Sequence, residues 1–135
     1  MSGGPGIYVD RDRWPIVIGR VVGQPTDEDF KAYLADFDAV LNRGLPYASI
    51  MITKPHTPMT KARHARMQAS WLATNEQRIR DLCAGAAFVL PSPVMRGVLR
   101  AILKMQGLPV PYKVFREEEE GIRWALERLA KAGAA

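Results

Sequence analysis

Two loops carry most of the residues whose chemistry could be put to use. The first runs Lys54-Pro55-His56-Thr57-Pro58-Met59-Thr60, directly before a stretch with helical spacing. A hydroxyl at a helix N-terminus caps free amides, and a phosphate placed there is stabilised by the same amides and by the backbone dipole. The plain alternative for Thr57 and Thr60 is an ordinary N-cap. The second loop is Pro91-Ser92-Pro93, followed by Arg96, Arg100 and Lys104. These cations recur at every fourth residue, so a helix aligns them along one edge. No carboxylate lies between Asp81 and Glu117 in the sequence to neutralise them. Ser92, Arg96, Arg100 and Lys104, with Lys61 and Arg63, are the expected contact for an acidic protein partner or an anionic small ligand. A solvated helix face is the competing reading.

Other reactive groups point away from catalysis. There is no GxxxxGK[ST] phosphate loop, and the early glycines precede any strand-to-helix turn, so they do not form a dinucleotide loop. A G-x-S-x-G nucleophile elbow is also missing. His56 and His64 have no glutamate pair at metal-ligand spacing, and no metal or cofactor is expected. Cys83 has Arg80 one turn back, which could favour a thiolate; a small packed side chain is the simpler reading. Glu117-Glu118-Glu119-Glu120 reads as the acidic first turn of a helix, matched to its dipole. The sequence predicts no enzyme.

The elements that must position these loops follow from periodicity. Ile7-Tyr8-Val9 and Pro15 to Val22 read as an antiparallel strand pair, with Trp14 packing at its end. Thr26 caps a helix with Asp27, Glu28 and Asp29 in its first turn. Phe30, Tyr33, Leu34, Phe37, Val40 and Leu41 form its apolar stripe, and Gly44 stops it. Tyr47 to Thr53 suits a central strand covered on both faces. A single long helix is expected from Thr57-Pro58, or Thr60, to about Leu82, with Met67, Trp71, Leu72, Ile79 and Leu82 inward. Gly85 is expected to break the chain before an apolar strand, Ala86 to Leu90. Ser92-Pro93 opens a helix with Val94, Val98, Leu99, Ile102 and Leu103 as its core stripe, ended by Gly107. A strand over Val110 to Phe115 and a helix over Glu117 to Ala132 complete the order ββαβαβαβα.

Three crossovers imply an α/β fold: a five-stranded, mainly parallel sheet with an antiparallel N-terminal hairpin and four helices. Phe37, Ile50, Ile52, Phe88, Val89 and Leu99 are expected to be buried. Ligands of such sheets favour the carboxyl ends of strands, here the loops at 54–60 and 91–94.

The chain of 135 residues is 47% hydrophobic and 24% charged, the balance of one ordinary globular domain. A disordered tail is expected over residues 1–6 and a single domain over 7–132. One cysteine excludes an internal disulfide framework. No apolar run is long enough to span a bilayer, and the N-terminus has no secretory pattern, which together favour the cytoplasm. Eleven Lys and Arg fall between Lys54 and Arg116 against only Glu76 and Asp81, so the middle is basic and the flanks acidic. That asymmetry suits phosphates, acidic proteins or peripheral contact with anionic lipid heads. No nucleic-acid recognition motif is present. A homodimer is left open.

Several stretches resemble the SpoIIAA-like STAS proteins. They are Arg13-Trp14-Pro15-Ile16-Val17, Gly23 to Phe30, Cys83 to Leu99 with its Ser-Pro-x-x-Arg-Gly turn, and Tyr112-Lys113-Val114-Phe115 before an acidic-started helix. The likeness covers roughly residues 7 to 131. It implies a STAS-like fold, related in shape to the lipid-binding CRAL-TRIO domain, and a regulatory, protein-binding role of the kind found in bacterial signalling. Members of that family are switched by phosphorylation at the start of the helix after the third strand. That position falls on Thr57 to Thr60, where no Asp-Ser pair follows the strand. The rival reading is a domain that binds a small molecule or lipid head group through a pocket and basic helix faces.

Overall fold

The computed structural model describes residues 5–55, 57–58 and 60–133. Residues 1–4 of the expected tail, and His56, lie outside the described residues. The two opening β-rich runs form β1 (Gly6–Asp10) and β2 (Ile16–Val22), paired antiparallel with Val9 opposite Gly19. Thr26 caps α1 (Asp27–Asn42) through a reciprocal box: its hydroxyl accepts from the Asp29 amide at 3.0 Å, and the Asp29 carboxylate accepts from the Thr26 amide at 2.9 Å. Next come β3 (Tyr47–Thr53), α2 (Ala62–Thr74), α3 (Glu76–Leu82), β4 (Cys83–Val89), α4 (Pro93–Gln106), β5 (Tyr112–Phe115) and α5 (Glu118–Lys131). The sheet order is β1-β2-β3-β4-β5, and β2–β3, β3–β4 and β4–β5 all pair in parallel. Among the described residues no helix is long and apolar enough to cross a membrane.

Among the described residues there are five helices rather than four, because the expected long helix breaks at Asn75. Asn75 is buried, and its side-chain amide donates to the Trp71 carbonyl at 3.0 Å. An asparagine that bonds to the backbone in this way competes with the helical ladder. The start of α2 differs as well. Lys61 is its N-cap and no side chain caps it, so neither Thr57 nor Thr60 plays that part.

Gly85 does not break the chain but lies inside β4. A Cβ there would sit 3.0 Å from both Trp124 and Arg128 of α5, so the glycine admits the helix closely against the strand. On that face α5 buries Ala125 and Leu129 against Ile16, Ile18, Ile50, Ile52 and Val89. The opposite face is unevenly covered. Phe30, Tyr33, Phe37, Val40 and Leu41 of α1 pack there with Val17, Tyr47 and Ile79. The Trp71 indole donates to Asp38 at 2.8 Å and ties α2 to α1. α4 lies beside β5 and buries Leu103 alone. Phe37, Ile50, Ile52 and Val89 are buried as expected, whereas Phe88 and Leu99 are only half-buried. Of the expected core stripe of α4, Leu103 is buried with Leu90 and Val114 and Leu99 packs against them, whereas Val94 is 74% exposed and Val98 and Ile102 are also open. The reason is that no element covers that side of the helix among the described residues.

Candidate functional site

The half-covered face holds a cavity of about 330 Å³ that opens to solvent. Its floor is Met51 of β3 and Phe88 of β4; Phe30 and Tyr33 close one side, and Leu99 and Ile102 of α4 the other. The floor depends on a small residue in β2. A Cβ on Gly19 would meet the Met51 sulfur at 2.5 Å, so the glycine lets Met51 lie across the sheet. The size falls near the lower end for small-molecule sites, which span ~300–1,000 Å³.

Thr57, Thr60, His64 and Gln68 supply polar groups to the lining. The Thr57 hydroxyl accepts from the Gly23 amide at 3.3 Å and donates to the Val21 carbonyl at 3.5 Å, which pins the loop after β3 to the end of β2. Thr60 is exposed at the rim. His64 is 1% exposed, stacks on Phe30 with ring centroids 4.6 Å apart, and pairs through Nε2 with Asp27 Oδ1 at 2.8 Å. Asp27 Oδ2 in turn receives Arg63 Nε at 3.2 Å. The hydrogen bond from His64, helped by the charge of Arg63, holds the Asp27 carboxyl below the usual carboxylate range. Burial pushes the Tyr33 phenol up to about 12, with Gln68 bonding to it and acting in the other direction. It is therefore neutral at ordinary pH.

The cationic contact expected around α4 is divided. Ser92 is its N-cap, accepting from the Met95 amide at 3.3 Å, with Pro93 in the first turn. Arg96 folds back to donate to the carbonyls of Leu90 at 2.8 Å and Pro91 at 3.1 Å, so it holds its own loop. Arg100 and Lys104 are exposed, as is Lys61, while Arg63 is engaged with Asp27. None of these five cations lines the cavity. Thr53, Lys54, Thr57 and Ser92 border a separate niche of about 40 Å³ at the ends of β3 and β4. The two sequence loops thus meet there, while the larger space lies alongside.

Cys83 is the C-cap of α3 and also opens β4, and it is buried. Burial pushes its thiol up, against any thiolate, and Arg80 pairs with Glu76 at 2.7 Å rather than with it. Among the described residues no three His, Cys, Asp or Glu side chains come together to hold a metal. Sequence reading passed over the Asp27–His64 pair, because the two residues lie 37 apart and only the packing of α2 on α1 joins them. The small-ligand alternative includes a pocket but names none of its lining; the signal for that lining is an apolar stripe on α4 wider than one edge strand can cover.

No protein-family model matches the chain, and no curated protein does. A solved structure does resemble it: an uncharacterized protein of the DUF3478 family, with a SpoIIAA-like fold, from Shewanella loihica PV-4. The two share 15% sequence identity over 93% of this chain and 98% of that one, with a TM-score of 0.66. The fold is SpoIIAA-like.

Proposed function

We propose that this chain uses its SpoIIAA-like frame as a non-enzymatic binding domain, acting in the cytoplasm, that takes up one small and largely apolar molecule. The observation that carries this reading is the cavity between α2, α4 and the sheet, walled by Met51, Phe88, Leu99 and Ile102. Apolar surface left open to water over such a volume is stabilised when a ligand fills it. The absence from the sequence of a phosphate loop or nucleophile elbow supports a binding role rather than a catalytic one. Nile red titration tests the reading. The dye should bind with one-to-one stoichiometry, and Leu72→Trp, which fills the cavity from α2, should abolish binding while leaving the fold intact. Unchanged dye binding in that variant would refute it.

A second reading, a regulatory protein-interaction module, draws on the outer side of α4. Val94 and Met105 stand 74% and 87% exposed there, with Arg100 and Lys104 on the neighbouring edge. Arg100→Glu with Lys104→Glu should slow association with an acidic partner and flatten its salt dependence. Arg96 is left alone in that test because it holds the Leu90 and Pro91 carbonyls. Of the two candidate switch positions, Thr60 is open to a kinase, whereas the Thr57 hydroxyl is already engaged. Phosphate incorporation at Thr60 in native extracts would support a switch, and its absence under all growth conditions would remove it.

A further inference from the structure

The chain is 24% charged, yet among the described residues no Asp, Glu, Lys or Arg lines the cavity. The polar groups there are hydroxyls, amides and one imidazole. His64 and Gln68 stand four apart on α2, so both reach the same edge. The Gln68 amide bonds to the Tyr33 phenol, which burial keeps protonated. His64 is occupied with Asp27, and Asp27 with Arg63, so the carboxylate and the guanidinium close on one another beside the cavity. The cations that could have met an anion stand outside it: Arg96 on its loop carbonyls, Arg100 and Lys104 in water, and Lys54 on the adjoining niche.

An ionised group moved from water into such a space finds no counter-charge, and desolvation without a partner is strongly unfavourable. A hydroxyl, carbonyl or amide meets donors and acceptors of its own kind. We infer that the cavity selects an uncharged, mostly apolar molecule with one hydrogen-bonding end, that end meeting Thr60 and the Gln68 amide. Carboxylates, phosphates and ammonium ions of the same size are rejected. The inference rests on the cavity being the ligand site, as proposed above.

Three eight-carbon probes that differ only at the head separate the possibilities. 1-Octanol, octanoate and octylammonium are each used to displace Nile red at pH 7.5, below their aggregation limits. 1-Octanol should displace the dye at a concentration at least about tenfold lower than either ion, a difference of about 1.4 kcal/mol. Gln68→Leu should weaken 1-octanol about three- to tenfold, the range for one lost neutral hydrogen bond. Gln68→Lys should reverse the order and favour octanoate; Thr60→Lys at the exposed rim serves where the former does not fold. Octanoate binding as well as 1-octanol to the unaltered protein would overturn the inference while leaving the cavity as a ligand site. An order unchanged by both lysine variants would overturn it too. If Leu72→Trp leaves 1-octanol binding intact, the probe is not in the cavity, and the underlying reading fails instead.

Discussion

α1 and α4 lie on the same face of the sheet and are written in the same local grammar. Each begins at a hydroxyl cap, Thr26 or Ser92, and each repeats apolar residues at helical spacing. Yet α1 buries Phe30, Tyr33, Phe37, Val40 and Leu41, while α4 buries Leu103 alone. The difference is in what faces them. α1 is packed against β1, α2 and α3, and its apolar stripe meets the floor of the sheet. α4 stands beside β5, the last strand, with the cavity on one side and water on the other. Helical periodicity specifies which residues can be buried together; a facing surface decides whether they are.

The sharpest way to break this comparison is to remove one large side chain from each helix. Phe37→Ala should cost ~3–5 kcal/mol, the range for an aromatic lost from a core. Ile102→Ala, at a position 37% exposed, should cost about 1 kcal/mol or less. Urea unfolding of both variants measures this, and equal losses would erase the contrast.

The caps give a smaller effect. Thr26→Ala removes one half of a reciprocal box and should cost about 1 kcal/mol. Ser92→Ala removes a single 3.3 Å bond from a helix that contributes less burial, and should cost less, within the ~0.5–2 kcal/mol range for such caps. A larger loss at Ser92 would show that α4 is better anchored than its exposure indicates.

Asp27 connects the well-packed helix to the rim of the cavity, and acid tests that link. Its carboxyl is depressed below the ordinary value of 3.8, chiefly by the His64 hydrogen bond. A depressed carboxyl contributes stability that is complete above the ordinary value and is lost as pH falls through the lower folded value. Stability measured from pH 5 downward should therefore fall less steeply in Asp27→Asn than in the unaltered protein. Parallel acid limbs would deny the pair any part in stability.

The smallest expected change is outside the cavity. Val94→Glu with Met105→Glu should shift unfolding by no more than about 0.5 kcal/mol, since surface substitutions rarely do more. Circular dichroism melting would check it, and a loss as large as that of Phe37→Ala would mean that something in solution covers α4.

Local signals in the sequence determined a good deal. Thr26 with Asp29, Ser92 with Pro93, and the left-handed Gly107 after α4 place helix ends correctly, because caps act over three or four residues. The β-branched run at 16–22 and the apolar run at 47–53 become strands in the expected parallel pairing, since right-handed crossovers leave little choice of topology. Each of these inferences needs only neighbours in the chain.

Tertiary structure alone decided the rest. Asn75 breaks a helix that periodicity would carry on, because a buried amide finds the Trp71 carbonyl there. Gly85 stays in a strand because Trp124 and Arg128, far along the chain, press against it. Arg96 leaves its cationic row because the carbonyls of Leu90 and Pro91 lie within reach. The cavity itself is bounded by parts of β1, β2, β3, β4, α1, α2 and α4, and its neutrality follows from which side chains those elements turn inward. Spacing along a chain reports the faces of single elements. A space enclosed between elements, and the charge on its walls, arises only once those faces have been brought together.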